Sequence, residues 1–146
     1  MYATILVPLD GSPRAETILP HVENLAKCFN SRVILLNVLE PVHILTSAAP
    51  VDFIEASVEA DQAEDARIYL KGVENRFKHQ GVPVESVVEE GPPVRTIINV
   101  ADREQVDLIA MASHGLSGLA RVFYGSVAAG ILHRIDRPLL LVRAES

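Results

Sequence analysis

The chain predicts an α/β fold, a doubly wound parallel sheet of five strands with helices on both faces. Three observations carry this expectation. Apolar runs of strand length alternate with longer segments of helical periodicity, strand then helix four times, with a fifth strand at the end. The strands are close to continuously apolar, as strands covered on both faces must be. At 146 residues, 49% hydrophobic and 22% charged, the chain has the length and composition of one globular domain spanning residues 1–146.

Residues 3–9 form the first apolar run, bounded by Asp10-Gly11-Ser12-Pro13. Ser12 suits an N-cap and Pro13 a first helical position. Ala15, Ile18, Leu19, Val22, Leu25, Ala26 and Phe29 then recur at helical spacing, with Pro20 expected to kink the helix. Asn30-Ser31 breaks the pattern before a second buried strand over residues 33–39. A loop follows from Pro41 to Pro50. Ile54, Val58, Ala63, Ala66, Leu70, Val73 and Phe77 next mark one face of a long helix that Gly81 closes. The acidic run Glu55, Glu59, Asp61, Glu64 and Asp65 reads as its solvated face.

Residues 82–90 alternate as a sheet-edge strand does, and Gly91-Pro92-Pro93 opens a helix carrying Val94, Ile97, Ile98 and Ala101. The fourth strand is expected over residues 106–111. A glycine-bearing loop leads from there to a helix at about residues 126–135, and the last strand runs from Leu139 to Val142. No internal repeat or low-complexity segment interrupts this order.

Charge and cysteine content narrow the function. Thirteen basic and 19 acidic residues give a formal charge of -6, which argues against bulk binding of nucleic acid or an anionic membrane. Cys28 is the sole cysteine, so no intrachain disulfide forms and a reducing cytoplasm is the simplest compartment. It lies beside Phe29 and is expected to be a partly buried structural thiol. The N-terminus lacks the pattern of a signal peptide, and no run approaches the roughly 20 apolar residues of a membrane span. His21, His43, His79 and His133 are scattered, without a metal-ligand spacing.

In doubly wound sheets ligands bind beyond the C-terminal strand ends where the strand order reverses. Asp10 follows the first strand, and the stretch from Met111 to Val127 follows the fourth. That stretch has the layout of an anion site, with glycines that let backbone N–H groups approach and a helix start at Gly125-Ser126. An ordinary strand-to-helix connection, with Gly125 as a joint and Ser126 as an N-cap, is the plainer account. No Walker A string is present, and the dinucleotide fingerprint is missing from the turn after the first strand. A phosphoacceptor receiver domain would want acidic neighbours behind Asp10, and there are none. No Gly-x-Ser-x-Gly elbow marks Ser113 or Ser126 as a nucleophile.

The loop resembles that of the universal stress protein family, in which Gly-x-x-Gly, nine residues and Gly-Ser or Gly-Thr follow the fourth strand. The corresponding positions are Ala112, Ser113, His114 and Gly115, then residues 116–124, then Gly125-Ser126. The opening Ile-Leu-Val-Pro-Leu-Asp-Gly-Ser and the closing Arg-Pro-Leu-Leu-Leu-Val are similar to the family as well, so the resemblance covers the whole chain.

The resemblance implies strand order 3-2-1-4-5 and ATP bound between the first and fourth strands. It implies that Asp10 contacts the ribose or a Mg²⁺ ion, that Pro8 and Leu9 shape the wall, and that the backbone at Val38 reads the adenine edge. Gly115, Gly125, Ser126 and Val127 would hold phosphates and ribose; Met111, Ala112 and His114 complete the candidate nucleotide-binding set. Arg121 is a candidate positive charge. The family commonly dimerises through the last strand, so a homodimer through Leu139 to Val142 is expected; Arg137, Arg143 and the chain terminus are the alternative protection for that edge.

Functionally, the resemblance implies a cytoplasmic adenine-nucleotide-binding regulator or stress sensor. Ligand binding would order residues 114–124 and alter a surface read by an unknown protein partner. AMP or a cyclic nucleotide is an alternative to ATP. No general base is evident, so any ATP hydrolysis is expected to be slow. One departure stands out: Ala112 occupies the first glycine position of the motif. In extended backbone an alanine costs little there, whereas close approach of phosphate or ribose would be obstructed by its methyl. The alternative functions are a nucleotide-free dimerisation module and, with less support, a nucleotide-dependent hydrolase.

Overall fold

A computed structural model describes residues 1–41, 51–114 and 125–144. Among these, five strands alternate with four α-helices: β1 Thr4–Pro8, α1 Leu19–Phe29, β2 Arg32–Leu39, α2 Val51–His79, β3 Val84–Glu90, α3 Pro93–Arg103, β4 Leu108–His114, α4 Ser126–Arg134 and β5 Leu139–Ala144. All four strand pairings are parallel, and the order is β3-β2-β1-β4-β5. The order reverses between β1 and β4. No helix among the described residues is long and apolar enough to cross a membrane.

The alternation of side chains along each strand divides the core in two. Ile5, Val7, Val33, Leu35, Leu108 and Ala110 meet α1 and α2 through Leu19, Val22, Ala26, Leu70, Val73 and Phe77. Leu6, Ile34, Leu36, Ile109 and Met111 meet α3 and α4 through Ile97, Val100, Ala101, Ala128 and Ile131. Fully burying one such aliphatic side chain is worth about 1.5–3 kcal/mol, so both sheet faces are driven closed. On the second face the two helices touch closely. A Cβ added at Gly130 of α4 would stand 2.5 Å from Val94 Cγ2 of α3, so only glycine permits that approach.

Several local expectations are corrected by the structure. Pro20 does not kink a long helix. A 3₁₀ turn, Ala15–Ile18, precedes α1, and Pro20 sits in the first turn of α1, where a missing N–H costs nothing. Ser12 is not the N-cap, which is Arg14; its Oγ accepts the Ala15 N–H at 3.2 Å from just before the turn.

β4 runs on to His114 rather than ending at Met111, because Ala112, Ser113 and His114 pair with Val142, Arg143 and Ala144 of β5. Pairing with β5 alone carries this extension, since β1 pairs with β4 only at Leu108 and Ile109, and it outweighs weak local strand preference.

Cys28 is exposed. The buried stripe of α1 is Leu19, Val22 and Ala26, and a residue two past Ala26 has turned about 200° around a helix of 3.6 residues per turn.

The N-cap of α4 is Gly125, not Ser126, which is the first helical residue.

Candidate functional site

The C-terminal ends of β1, β2 and β4 and the start of α4 enclose a cleft at the point where strand order reverses. Its described lining is Pro8, Leu9, Asp10, Ala15, Leu36, Val38, Glu40, Pro93, Ile97, Met111, Ala112 and Val127, around a volume of about 250 Å³. Ten of these are apolar and two are carboxylates, a composition suited to a flat apolar group carrying hydrogen-bond donors. Small-molecule sites are typically about 300–1,000 Å³, so the cleft holds part of a larger ligand or the whole of a small one.

Each wall has a local cause. β1 is buried up to its end, and the chain leaves it under tight control: Leu9 N–H donates to Leu36 O at 2.8 Å, and the buried Asn37 Nδ2 donates to Leu9 O at 2.9 Å. Asp10 emerges immediately after this anchor. Its Oδ1 accepts from the Ser12 N–H at 2.9 Å and from the Ser12 hydroxyl at 2.6 Å, an Asx-type turn that orients the carboxylate. Near it lies the buried hydroxyl of Tyr69, which has no hydrogen-bond partner among the described residues. Burial, followed by the negative charges of Glu16 and Asp10, holds its proton on well above the ordinary tyrosine range.

At the opposite wall Gly125 has φ +80° and ψ 155°, backbone that is essentially restricted to glycine. It turns the chain into α4, and no side chain among the described residues caps the helix N-terminus. The first N–H groups of a helix lack intrahelical partners and carry the positive dipole end.

Of the sequence-derived candidates, Pro8, Leu9, Asp10, Val38, Met111, Ala112 and Val127 come together in the cleft lining. Gly125 and Ser126 stand immediately before Val127, with Gly125 buried and Ser126 exposed. His114 is the last residue of β4. Gly115, Arg121 and the rest of residues 115–124 lie outside the described residues, as do residues 42–50 with His43. Ala112 is in paired strand, opposite Val142, so its backbone has no need of glycine. Sequence reasoning missed Ala15, Leu36, Glu40, Pro93 and Ile97. The signal for Leu36 and Glu40 was available, since they flank Val38 at a spacing of two and so share its face of the strand.

A family model described as "Universal stress protein family" matches residues 1–143. Universal stress protein MJ0577 of Methanocaldococcus jannaschii is 28% identical over 158 residues, covering 100% of this chain and 98% of its own. The solved MJ0577 structure superposes with a TM-score of 0.85 at 29% identity, over 100% of this chain and 99% of that one. Two more distant structures share the fold. A universal stress protein in complex with cAMP has TM-score 0.72 at 24% identity, over 99% of this chain and 98% of that one. One from Archaeoglobus fulgidus in complex with dAMP has TM-score 0.63 at 21% identity, over 97% and 98%. With a whole-chain family match, the 3-2-1-4-5 parallel sheet and an apolar cleft where its order reverses, this chain belongs to the universal stress protein family.

Proposed function

We propose that this chain is a small cytoplasmic regulatory protein of one domain, residues 1–146, that binds an adenine nucleotide in the β1/β4 cleft and acts as a homodimeric stress sensor. The observation that carries the reading is the convergence of Pro8, Leu9, Asp10, Val38, Met111, Ala112 and Val127 on one apolar cleft beside a helix N-terminus that no described side chain caps. An apolar slot accepts a base, a carboxylate accepts ribose hydroxyls, and a helix N-terminus attracts phosphate. The relatives solved with cAMP and with dAMP support an adenine ligand.

ATP with Mg²⁺ is the ligand we favour. Asp10 would hold the ion, since Ser12 engages only its Oδ1 and Mg²⁺ needs just one or two carboxylates beside water and phosphate oxygens. The ion would neutralise phosphate charge in a cleft whose described lining carries two carboxylates. Gly125, Ser126 and Val127 would receive the phosphates, together with Gly115. His114 stands at the end of the strand leading to them. Val38 would meet the base.

Thermal unfolding of nucleotide-stripped protein with Mg-ATP, and with Mg-GTP as control, tests this. Ligand at 100 times its dissociation constant stabilises by about 2.7 kcal/mol, which raises the midpoint of a domain this size by several degrees. A shift with ATP alone is expected. No shift with millimolar nucleotide would overturn the reading in favour of a nucleotide-free interaction module.

A further inference from the structure

Leu36, Val38 and Glu40 alternate along β2 and its exit, so their side chains share the sheet face covered by α3 and α4, and all three line the cleft. The backbone of this stretch is oriented as well. Leu36 O accepts from Leu9 N–H on the β1 side, whereas Leu39 O accepts from Gly91 N–H at 2.9 Å on the β3 side. Backbone direction alternates along a parallel ladder, so the N–H and C=O of Val38 turn toward β1, which has ended at Pro8. Neither group has a backbone partner there among the described residues.

Glu40 follows two residues, or about 6.6 Å, further along. Its carboxylate is exposed and has no hydrogen bond or ion pair among the described residues. β2 and β4 flank β1, which sets their ends about 10 Å apart across the cleft. The α4 N-terminus on the β4 side attracts anions, and Glu40 on the β2 side repels them. A bound nucleotide therefore lies with its phosphates toward α4 and its base toward Val38 and Glu40.

The geometry points to Glu40 as the residue that selects the base. An ionised carboxylate is purely an acceptor. It accepts a hydrogen bond from the exocyclic amino group of adenine and opposes the carbonyl oxygen that guanine carries at the same ring position. This inference rests on the nucleotide reading of the cleft.

The test is calorimetric titration of nucleotide-stripped wild type, Glu40→Ala and Glu40→Gln with Mg-ATP and Mg-ITP, which differ in the base by an oxygen in place of the amino group. Glu40→Ala is expected to lose roughly tenfold in ATP affinity, the scale of a hydrogen bond to a charged group, and to keep or gain affinity for ITP, because the opposing carboxylate is gone. Glu40→Gln, whose amide can present N–H to that oxygen, is expected to gain severalfold for ITP, a result that misfolding cannot produce. If Glu40→Ala loses equally for both nucleotides, or changes neither, and Glu40→Gln gains nothing, Glu40 does not select the base and the nucleotide reading stands. Wild type that binds no nucleotide overturns both.

Discussion

The side-chain amide of Asn37, buried in β2, donates a 2.9 Å hydrogen bond to the backbone carbonyl of Leu9, one residue before Asp10. Together with the Leu9 N–H to Leu36 O bond, it ties the exit of β1 to its neighbour at the edge of the cleft. Asn37→Ala leaves a buried carbonyl without its donor, which costs about 1–3 kcal/mol. Urea unfolding should show the midpoint fall with an unchanged m-value. Nucleotide affinity should fall with it, because Leu9 and Asp10 line the cleft. A variant as stable as wild type would remove Asn37 from this role.

Gly125 adopts φ +80° and ψ 155° at the N-cap of α4, where any other residue is strained by about 1–3 kcal/mol. Gly125→Ala is therefore expected to be less stable by that amount in denaturant titration. Gly125→Val adds bulk where the phosphates are proposed to lie and should abolish ATP binding. Unchanged affinity in Gly125→Val would sink the placement of the phosphates.

Ala112 sits inside β4, opposite Val142, and is buried at 8% exposure. Glycine within a strand is less stable than alanine by about 0.5–1 kcal/mol, so Ala112→Gly should lower stability by at least that much. On the proposed function it leaves ATP affinity within about threefold, less than a 1 kcal/mol effect. A large gain in affinity would mean that the methyl obstructs the ligand after all.

β5 is an edge strand, and its Leu139, Leu140, Leu141 and Val142 are only partly buried. Pro138 O accepts the Ile109 N–H at 3.1 Å, so by alternation Leu139, Leu141 and Arg143 turn their N–H and C=O groups outward. A homodimer through this edge needs those donors. Arg143→Pro removes one without breaking a bond to β4, and proline is tolerated on an edge. Sedimentation equilibrium should find a dimer for wild type and the 15.9 kDa of one chain for the variant; monomeric wild type would count against the interface.

Glu74 on α2 accepts from Lys78 Nζ at 2.6 Å and from Ser86 Oγ of β3 at 2.7 Å. These contacts, Lys78 first, hold its carboxyl below the usual glutamate value of 4.5 against a smaller opposing effect of burial. The group is more acidic folded than unfolded. Its contribution is therefore fully present above about pH 4.5 and lost as the pH falls through the lower folded value. Glu74→Gln should lose about 0.5–1.5 kcal/mol at pH 7. The difference from wild type should shrink as titration proceeds toward pH 3, and a pH-independent difference would mean that charge is not its cause.

The alternation of apolar strands and amphipathic helices was legible because burial imposes a period on local sequence. Residues 4–8 and 33–36 can only be covered strands, and Ala66, Leu70, Val73 and Phe77 can only be one helix face. The motif around Gly125 and the opening Pro8-Leu9-Asp10 carried the family resemblance, and with it the strand order and most of the cleft wall. Tertiary structure alone decided what depends on partners distant in the chain. β5 draws Ala112, Ser113 and His114 into β4. The start of α1 moves to Leu19 because Pro20 belongs in a first turn, and helix phase turns Cys28 outward. Glu40 is an ordinary glutamate beside a proline in the sequence. It joins the cleft only because β2 lies next to β1 and β1 stops short of it. Periodicity is local and survives in the chain as written, whereas pairing, helix phase and the convergence of strand ends exist only once residues far apart in sequence have been brought together.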